Sequence, residues 1–205
     1  MFNIKNFRCI IGWLGMLLPI IVFVLYFIDN GTYPDSISAT YFNARCITPF
    51  MGILSTASLF LFAYDGYNKI DDIINTAAAL CGLGICLFPC AATSAPYIGT
   101  FQLPALTSNT IHMITAIGFF GILAYNSLFL FTRGEADPTP NKKKRNIIFR
   151  ICGIGMIASF VFMVPVMVLG IYGGVWAIET VALFFFGISW LTKANCYRWL
   201  IADPK

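Results

Sequence analysis

Charge is scarce in this chain. Thirteen Lys or Arg and nine Asp or Glu make up 11% of 205 residues, against roughly a quarter in an ordinary soluble domain. So few cannot cover the surface of a water-soluble globule of this size, which excludes one. Histidine is scarcer still at one residue, so a zinc site held by three histidines, as in some membrane-embedded lipid hydrolases, cannot be built. No G-x-S-x-G elbow, phosphate-cradling glycine loop or haem ligand pattern occurs, and no internal repeat marks two transporter halves. The seven cysteines show no metal-ligand spacing; Cys81, Cys86 and Cys90 read as small packing residues. No metal and no cofactor is expected.

What is present is apolar: 59% of the residues are hydrophobic, 20 are Phe, and the mean hydropathy is +0.79. Disorder, coiled coils and disulfide-dense secreted scaffolds do not have this composition. The apolar residues come in long continuous runs where a membrane β-strand would alternate, so the spans are helices. Twenty uncharged residues from Cys9 to Ile28 match the roughly 30 Å of a hydrocarbon core at 1.5 Å per residue. This run exceeds a signal-peptide core and lacks an A-x-A-like site, so it reads as a retained helix. Five further spans follow at about 46–64, 73–90, 111–131, 151–168 and 175–191, with LGIYGG at 169–174 turning between the last two. The expected fold is a single all-α integral membrane domain of six transmembrane helices.

Lys and Arg orient it. With the N-terminus inside, twelve basic residues lie on the cytoplasmic side, among them Lys142, Lys143, Lys144 and Arg145 in the loop 132–150, and only Arg45 lies outside. Both termini are then cytoplasmic. The KKKR cluster reads as a topogenic signal facing anionic lipid; nucleic acid is not an expected partner. Cys46 and Cys90 both fall at the outer surface, where a disulfide between them is conceivable in an oxidising compartment. Gly12, Gly15, Gly153 and Gly155 read as packing within the chain, with a homo-oligomer left open.

Under this topology Asp29, Asp35, Arg45, His112 and Glu179 gather at the outer face. Glu179 lies several residues inside the sixth span, where ionisable groups face the bundle interior or a wet cavity. The plainer reading is a carboxylate in the first turns of a helix, favoured by the macrodipole. His112 follows Ser108 and Asn109, either of which can cap its helix; a lone interfacial His is as readily a structural hydrogen-bonding residue. Arg45 needs an anion, with Asp29, Asp35, Glu179 or a ligand to choose from. The first outer loop, DNGTYPDSISATYFNAR, adds Ser36, Ser38 and Tyr41, with a turn at Pro34-Asp35-Ser36.

GTYPDSISATYFNAR, the following FMGILSTASLFLFAYDGYNKIDDIINTAAALCGLGICLFPC and the later HMITAIGFFGILAYNSLFLFT resemble a set of uncharacterised bacterial six-helix membrane proteins with an SISAYY-like first loop. More distantly, they resemble DRAM/Sfk-like membrane proteins. The likeness covers about residues 30–132 and falls on Ser36, Ile37, Ser38, Tyr41, Arg45, Tyr64, Gly66, Tyr67 and His112. It implies a six-helix fold and a bacterial inner membrane, and carries no established chemistry.

Among function classes, the polar residues of one face favour binding of a lipid or small ligand at an outward-facing site made by Asp35, Ser36, Ser38, Tyr41, Arg45, His112 and Glu179, in a sensor, scaffold or lipid-handling protein. A transporter or pore is the alternative, supported by Gly82, Gly84 and Pro165 as helix breakers and opposed by the lack of charge in the middle third of any span. A membrane-embedded hydrolase using Ser38, His112 and Asp35 is the second alternative; no catalytic set is recognisable from spacing alone.

Overall fold

The computed structural model describes residues 4–64, 66, 68–134 and 139–196, without the side chains of Ile4 and Lys5. Tyr67 of the resemblance therefore lies outside the described residues, as do Arg198, Lys205 and the side chain of Lys5 among the twelve basic residues of the expected cytoplasmic side.

Six α-helices form among the described residues: α1 (Ile4–Asn30), α2 (Ile47–Phe62), α3 (Lys69–Leu87), α4 (Ala105–Tyr125, running on as a π-turn Asn126–Leu130), α5 (Pro140–Val168) and α6 (Gly174–Lys193). A short 3-10 helix, Ser38–Phe42, lies in the α1–α2 connection. A two-residue antiparallel pair, Tyr97–Ile98 with Leu103–Pro104, folds the α3–α4 connection. Five of the helices are long and apolar enough to cross a membrane. The exception is α2, at 16 residues, because Cys46, Ala63 and Tyr64 at the ends of its uncharged run lie outside the helix.

The expected boundaries stopped at charges, and the helices do not. α3 begins at Lys69, where the Asn68 side chain accepts from the Asp71 backbone N–H at 3.0 Å and Asp71 and Asp72 suit the positive helix end. α5 begins eleven residues before Ile151, with Thr139 as cap and Pro140 in the first turn, so the KKKR cluster is helical rather than part of a long loop. α4 begins before Ser108 and Asn109, which therefore cap nothing. Ser108 donates to the Pro89 carbonyl (2.8 Å) and Asn109 accepts from the Ala91 N–H (3.0 Å), fastening the α3–α4 connection instead.

The turn at LGIYGG forms as expected. Ile171 N–H reaches the Val166 carbonyl and Gly170 N–H the Met167 carbonyl, with Gly170 at φ +62°, the Schellman termination of α5. Gly173, at φ +68°, starts α6 and would drive a Cβ into the Tyr33 ring at 2.2 Å, so both the backbone and the first loop require glycine there.

Each helix packs on its neighbours in sequence and α6 packs back on α1, closing a ring of six in which the stretch Ala105–Tyr125 of α4 packs sparsely on α5 and the π-turn adds to that seam. Gly187 meets the Gly12 carbonyl and Met16, and Gly15 meets Phe186, so these glycines serve the α1–α6 contact within one chain. Gly153 and Gly155 likewise face Leu128 and Phe185. Trp190, Phe119, Phe149 and Phe186 fill the interior. Asp71, Asn75, Ser127 and Ser189 are buried with this apolar core, while Leu106, Val161 and Val168 are 77%, 64% and 79% exposed. A bundle that shows aliphatic side chains to its surroundings and keeps polar ones inside is at home in lipid.

The cysteine pairing differs from expectation. Cys9 on α1 and Cys196 after α6 are disulfide-bonded, Cα–Cα 6.5 Å, beside the α1–α6 contact. Cys46 and Cys90 are free thiols. Cys46 is buried with its Sγ 3.5 Å from the Val22 carbonyl on α1, and Cys90 belongs to the α3–α4 connection, past the end of α3.

Candidate functional site

Arg8, Arg133, Lys142 and Lys193 cluster at one end of the bundle, the basic end; the α1–α2, α3–α4 and α5–α6 connections meet at the other, the loop end. At the loop end the first connection crosses to α6. The Trp176 N–H donates to the Asp35 carbonyl (3.0 Å), Tyr172 Oη to the Tyr33 carbonyl (2.9 Å), and the rings of Tyr33, Tyr172 and Trp176 lie against each other. This latch carries the 3-10 helix over the interior, where Glu179 meets it. Glu179 is the sixth residue of α6, about 7.5 Å from its start. Its carboxylate accepts the Ile37 N–H and the Ser38 Oγ–H, the latter at 3.4 Å, and so caps the 3-10 helix from another element.

His112 closes the set from α4. Its Nδ1 lies 2.9 Å from the Phe88 carbonyl, left open at the C-terminal end of α3. A carbonyl only accepts, so Nδ1 carries the hydrogen. In the neutral ring Nε2 is then an acceptor, 3.1 Å from Ser38 Oγ. Ser38 has one hydrogen for two acceptors, His112 Nε2 and Glu179 Oε1. Were the imidazole protonated, Nε2–H would donate to Ser38 and Ser38 to Glu179, giving an unbroken chain between two titratable groups.

These three side chains are the polar part of the wall of a cavity of about 80 Å³ inside the ring. Every helix lends it apolar wall: Leu18 from α1, Leu54 from α2, Ile85 from α3, Phe119 from α4, Met163 from α5, Leu183 from α6. The volume is several times the roughly 10–15 Å³ that one water needs. A larger groove of about 410 Å³ lies between α4 and α5 and is wholly apolar-lined.

The other expected site residues do not join this wall. Arg45 pairs with Asp29 at 2.6 Å, its side chain 60% exposed. Asp35 is exposed and takes part through its backbone carbonyl. Ser36 Oγ accepts the Ala39 N–H (2.9 Å), a local turn bond. Tyr41 packs on the core with its ring 5.1 Å from Phe42. Of the resemblance positions, Tyr64 lies at the basic end, its hydroxyl bonded to Arg8 at 2.9 Å. No group of three or more His, Cys, Asp or Glu fit to hold a metal occurs among the described residues.

Sequence reasoning missed a second polar cluster, at the basic end. Arg133 Nη1 donates to both Asp71 carboxylate oxygens (2.9 and 3.1 Å), Asn75 Nδ2 to the Asp71 carbonyl (2.7 Å), and Asn126 Nδ2 to Asn75 Oδ1 (2.9 Å). Ser127 donates to the Phe149 carbonyl at 2.8 Å and sits 2.7 Å from Ser189 Oγ. The signal lay in the i, i+4 spacing of Asp71 and Asn75 and in Asn126-Ser127 interrupting an apolar run. The π-turn begins at Asn126, a place where such widened turns bring side chains inward.

No family model, curated protein or solved structure matches this chain.

Proposed function

We propose that the protein is an integral membrane protein that binds a neutral-headed amphiphile by its polar head, held in the central cavity at Ser38, His112 and Glu179. The observation that carries this reading is the cavity wall: aliphatic and aromatic from all six helices, with three polar side chains at a single end. No cationic side chain lines the wall, which disfavours a phosphate or carboxylate. His112 Nε2 and the Ser38 hydroxyl suit an alcohol, amide or ester. The distribution of Lys and Arg supports cytoplasmic termini and an outward-facing site, in keeping with a sensor or lipid-handling role.

The test is monoacylglycerol binding in nanodiscs, read by native mass spectrometry. His112→Ala and Glu179→Gln should each weaken binding at least tenfold, and Arg45→Ala should leave it unchanged. Equal binding by all four proteins would sink the reading.

A second reading rests on the Ser38–His112 contact. A hydroxyl, an imidazole acceptor and a carbonyl fixing the imidazole tautomer form a nucleophile, base and orienting group suited to ester cleavage. A fluorophosphonate that labels Ser38, and loses it in His112→Ala, would favour this reading over binding alone.

A further inference from the structure

The groove and the cavity have a common partition: Met113 and Phe120 of α4 and Phe160 and Met163 of α5 line both. It lies where the stretch Ala105–Tyr125 of α4 packs sparsely on α5, before the π-turn closes the seam. The groove follows α5 from Met156 to Met167, about 16 Å of helix at 1.5 Å per residue. Its outer lips are exposed aliphatic side chains, Ile117 at 57%, Val161 at 64% and Val164 at 61%. Met113, Met156, Met163 and Met167 give the groove four flexible thioether side chains, which change rotamer at little cost. Pro165, inside α5 on this stretch, has no N–H for the Val161 carbonyl, so the helix is weakest where it borders the groove.

We infer that this seam is a lateral portal: one hydrocarbon chain of a neutral bilayer lipid lies in the α4–α5 groove, and its polar end passes Met113, Phe120, Phe160 and Met163 to reach Ser38, His112 and Glu179. The occupant follows from position. The groove faces outward on two helices long and apolar enough to cross a membrane, and at that depth the surrounding medium is lipid chain. It is continuous with the cavity through shared wall residues. The alternative route, from water at the loop end, is roofed by the 3-10 helix, which Glu179 and His112 hold down. The inference rests on the proposed binding site, and it narrows the ligand to lipids that arrive dissolved in the bilayer.

Gly121 offers the means of testing it. It lines the groove and not the cavity, and a Cβ there meets nothing within 4 Å, so a large side chain fills the groove without disturbing the core. The probe is a monoacylglycerol with a diazirine in mid-chain, carried in nanodiscs, photolysed and mapped by peptide mass spectrometry. The portal predicts labelling of Ile117, Val161 or Val164 at least tenfold above Leu59 and Leu80, which face lipid on α2 and α3, and at least tenfold less labelling in Gly121→Trp. Ile117→Ala, which widens the groove, should keep or raise it, separating blockage from misfolding. If Gly121→Trp still binds the lipid with wild-type rate and affinity, the portal is wrong while the binding site stands. If groove and annular positions label alike and His112→Ala changes nothing, the binding site is wrong as well.

Discussion

At the basic end, the Asp71 side chain is 1% exposed and both its oxygens are taken by Arg133. At the loop end, Glu179 is only partly buried, and the side chains bonded to it and to each other line an open space. One cluster neutralises its charge with an opposite charge and, among its buried polar atoms, leaves only Asn126 Oδ1 without a partner. The other satisfies its carboxylate with backbone and hydroxyl hydrogens and leaves the Ser38 proton undecided between two acceptors. The difference separates polarity that holds helices together from polarity kept available for a guest.

Four experiments bear on that contrast. The largest effect is expected from Arg133→Ala, which removes the bidentate ion-pair partner of a buried carboxylate and should cost about 3 kcal/mol of stability, seen as a large fall in melting temperature, with amphiphile affinity per folded molecule unchanged. A parallel loss of affinity would erase the distinction between the two ends. Glu179→Ala should cost about 2 kcal/mol by leaving the Ile37 N–H without its acceptor and should abolish binding. Glu179→Gln keeps an acceptor, so stability should largely return while binding stays weak; a variant that recovers both would make Glu179 a brace alone.

The third experiment uses sulfur. Burial, helped by the Asp29 carboxylate, pushes the Cys46 thiol up to about 11. Burial and then Glu179 push Cys90 up to about 12. Both are raised above the ordinary value of 9.0, so the unfolded chain gives up these protons first, and their contribution to stability, complete below pH 9, fades as pH rises toward the folded values. Neither thiol should react with maleimide at pH 7 in the folded protein, and the melting temperature of Cys46→Ser should fall less between pH 9 and 11 than that of the wild type. Reduction should free two thiols at the basic end, Cys9 and Cys196, and none at the loop end. The smallest effect belongs to Arg45→Ala, whose exposed pair with Asp29 is worth at most about 1 kcal/mol; a larger loss in thermal melts would return Arg45 to the site.

Much of this architecture could be read from the sequence because lipid-facing helices are written as apolar runs, and five of the six met the length they need. Their ends could not, since charges such as Lys69 and the KKKR cluster bound an apolar run without stopping a helix, which crosses such residues freely once outside hydrocarbon. Asp71 and Arg133 are hidden for the same reason: the first falls between two expected spans and the second is one of twelve basic residues of a single side, and neither position tells what its side chain touches. His112 and Glu179 stood out as rare polar groups near one face, yet their link through Ser38 joins residues 74 and 141 positions apart, beyond any local pattern. Arg45 drew attention as the lone basic residue of that face, and its neighbour Asp29 satisfies it.

The closing of α6 onto α1 makes the bundle a circle that the polypeptide enters and leaves at adjacent points. Gly12 against Gly187 and Cys9 bonded to Cys196 bind those two points together as firmly as any connecting loop. Packing therefore does not demand that α1 come first. A gene rearranged to join residue 196 to residue 9 and to begin at α5 should specify the same circle, with its new ends at the basic end, away from the groove where the lipid is proposed to enter.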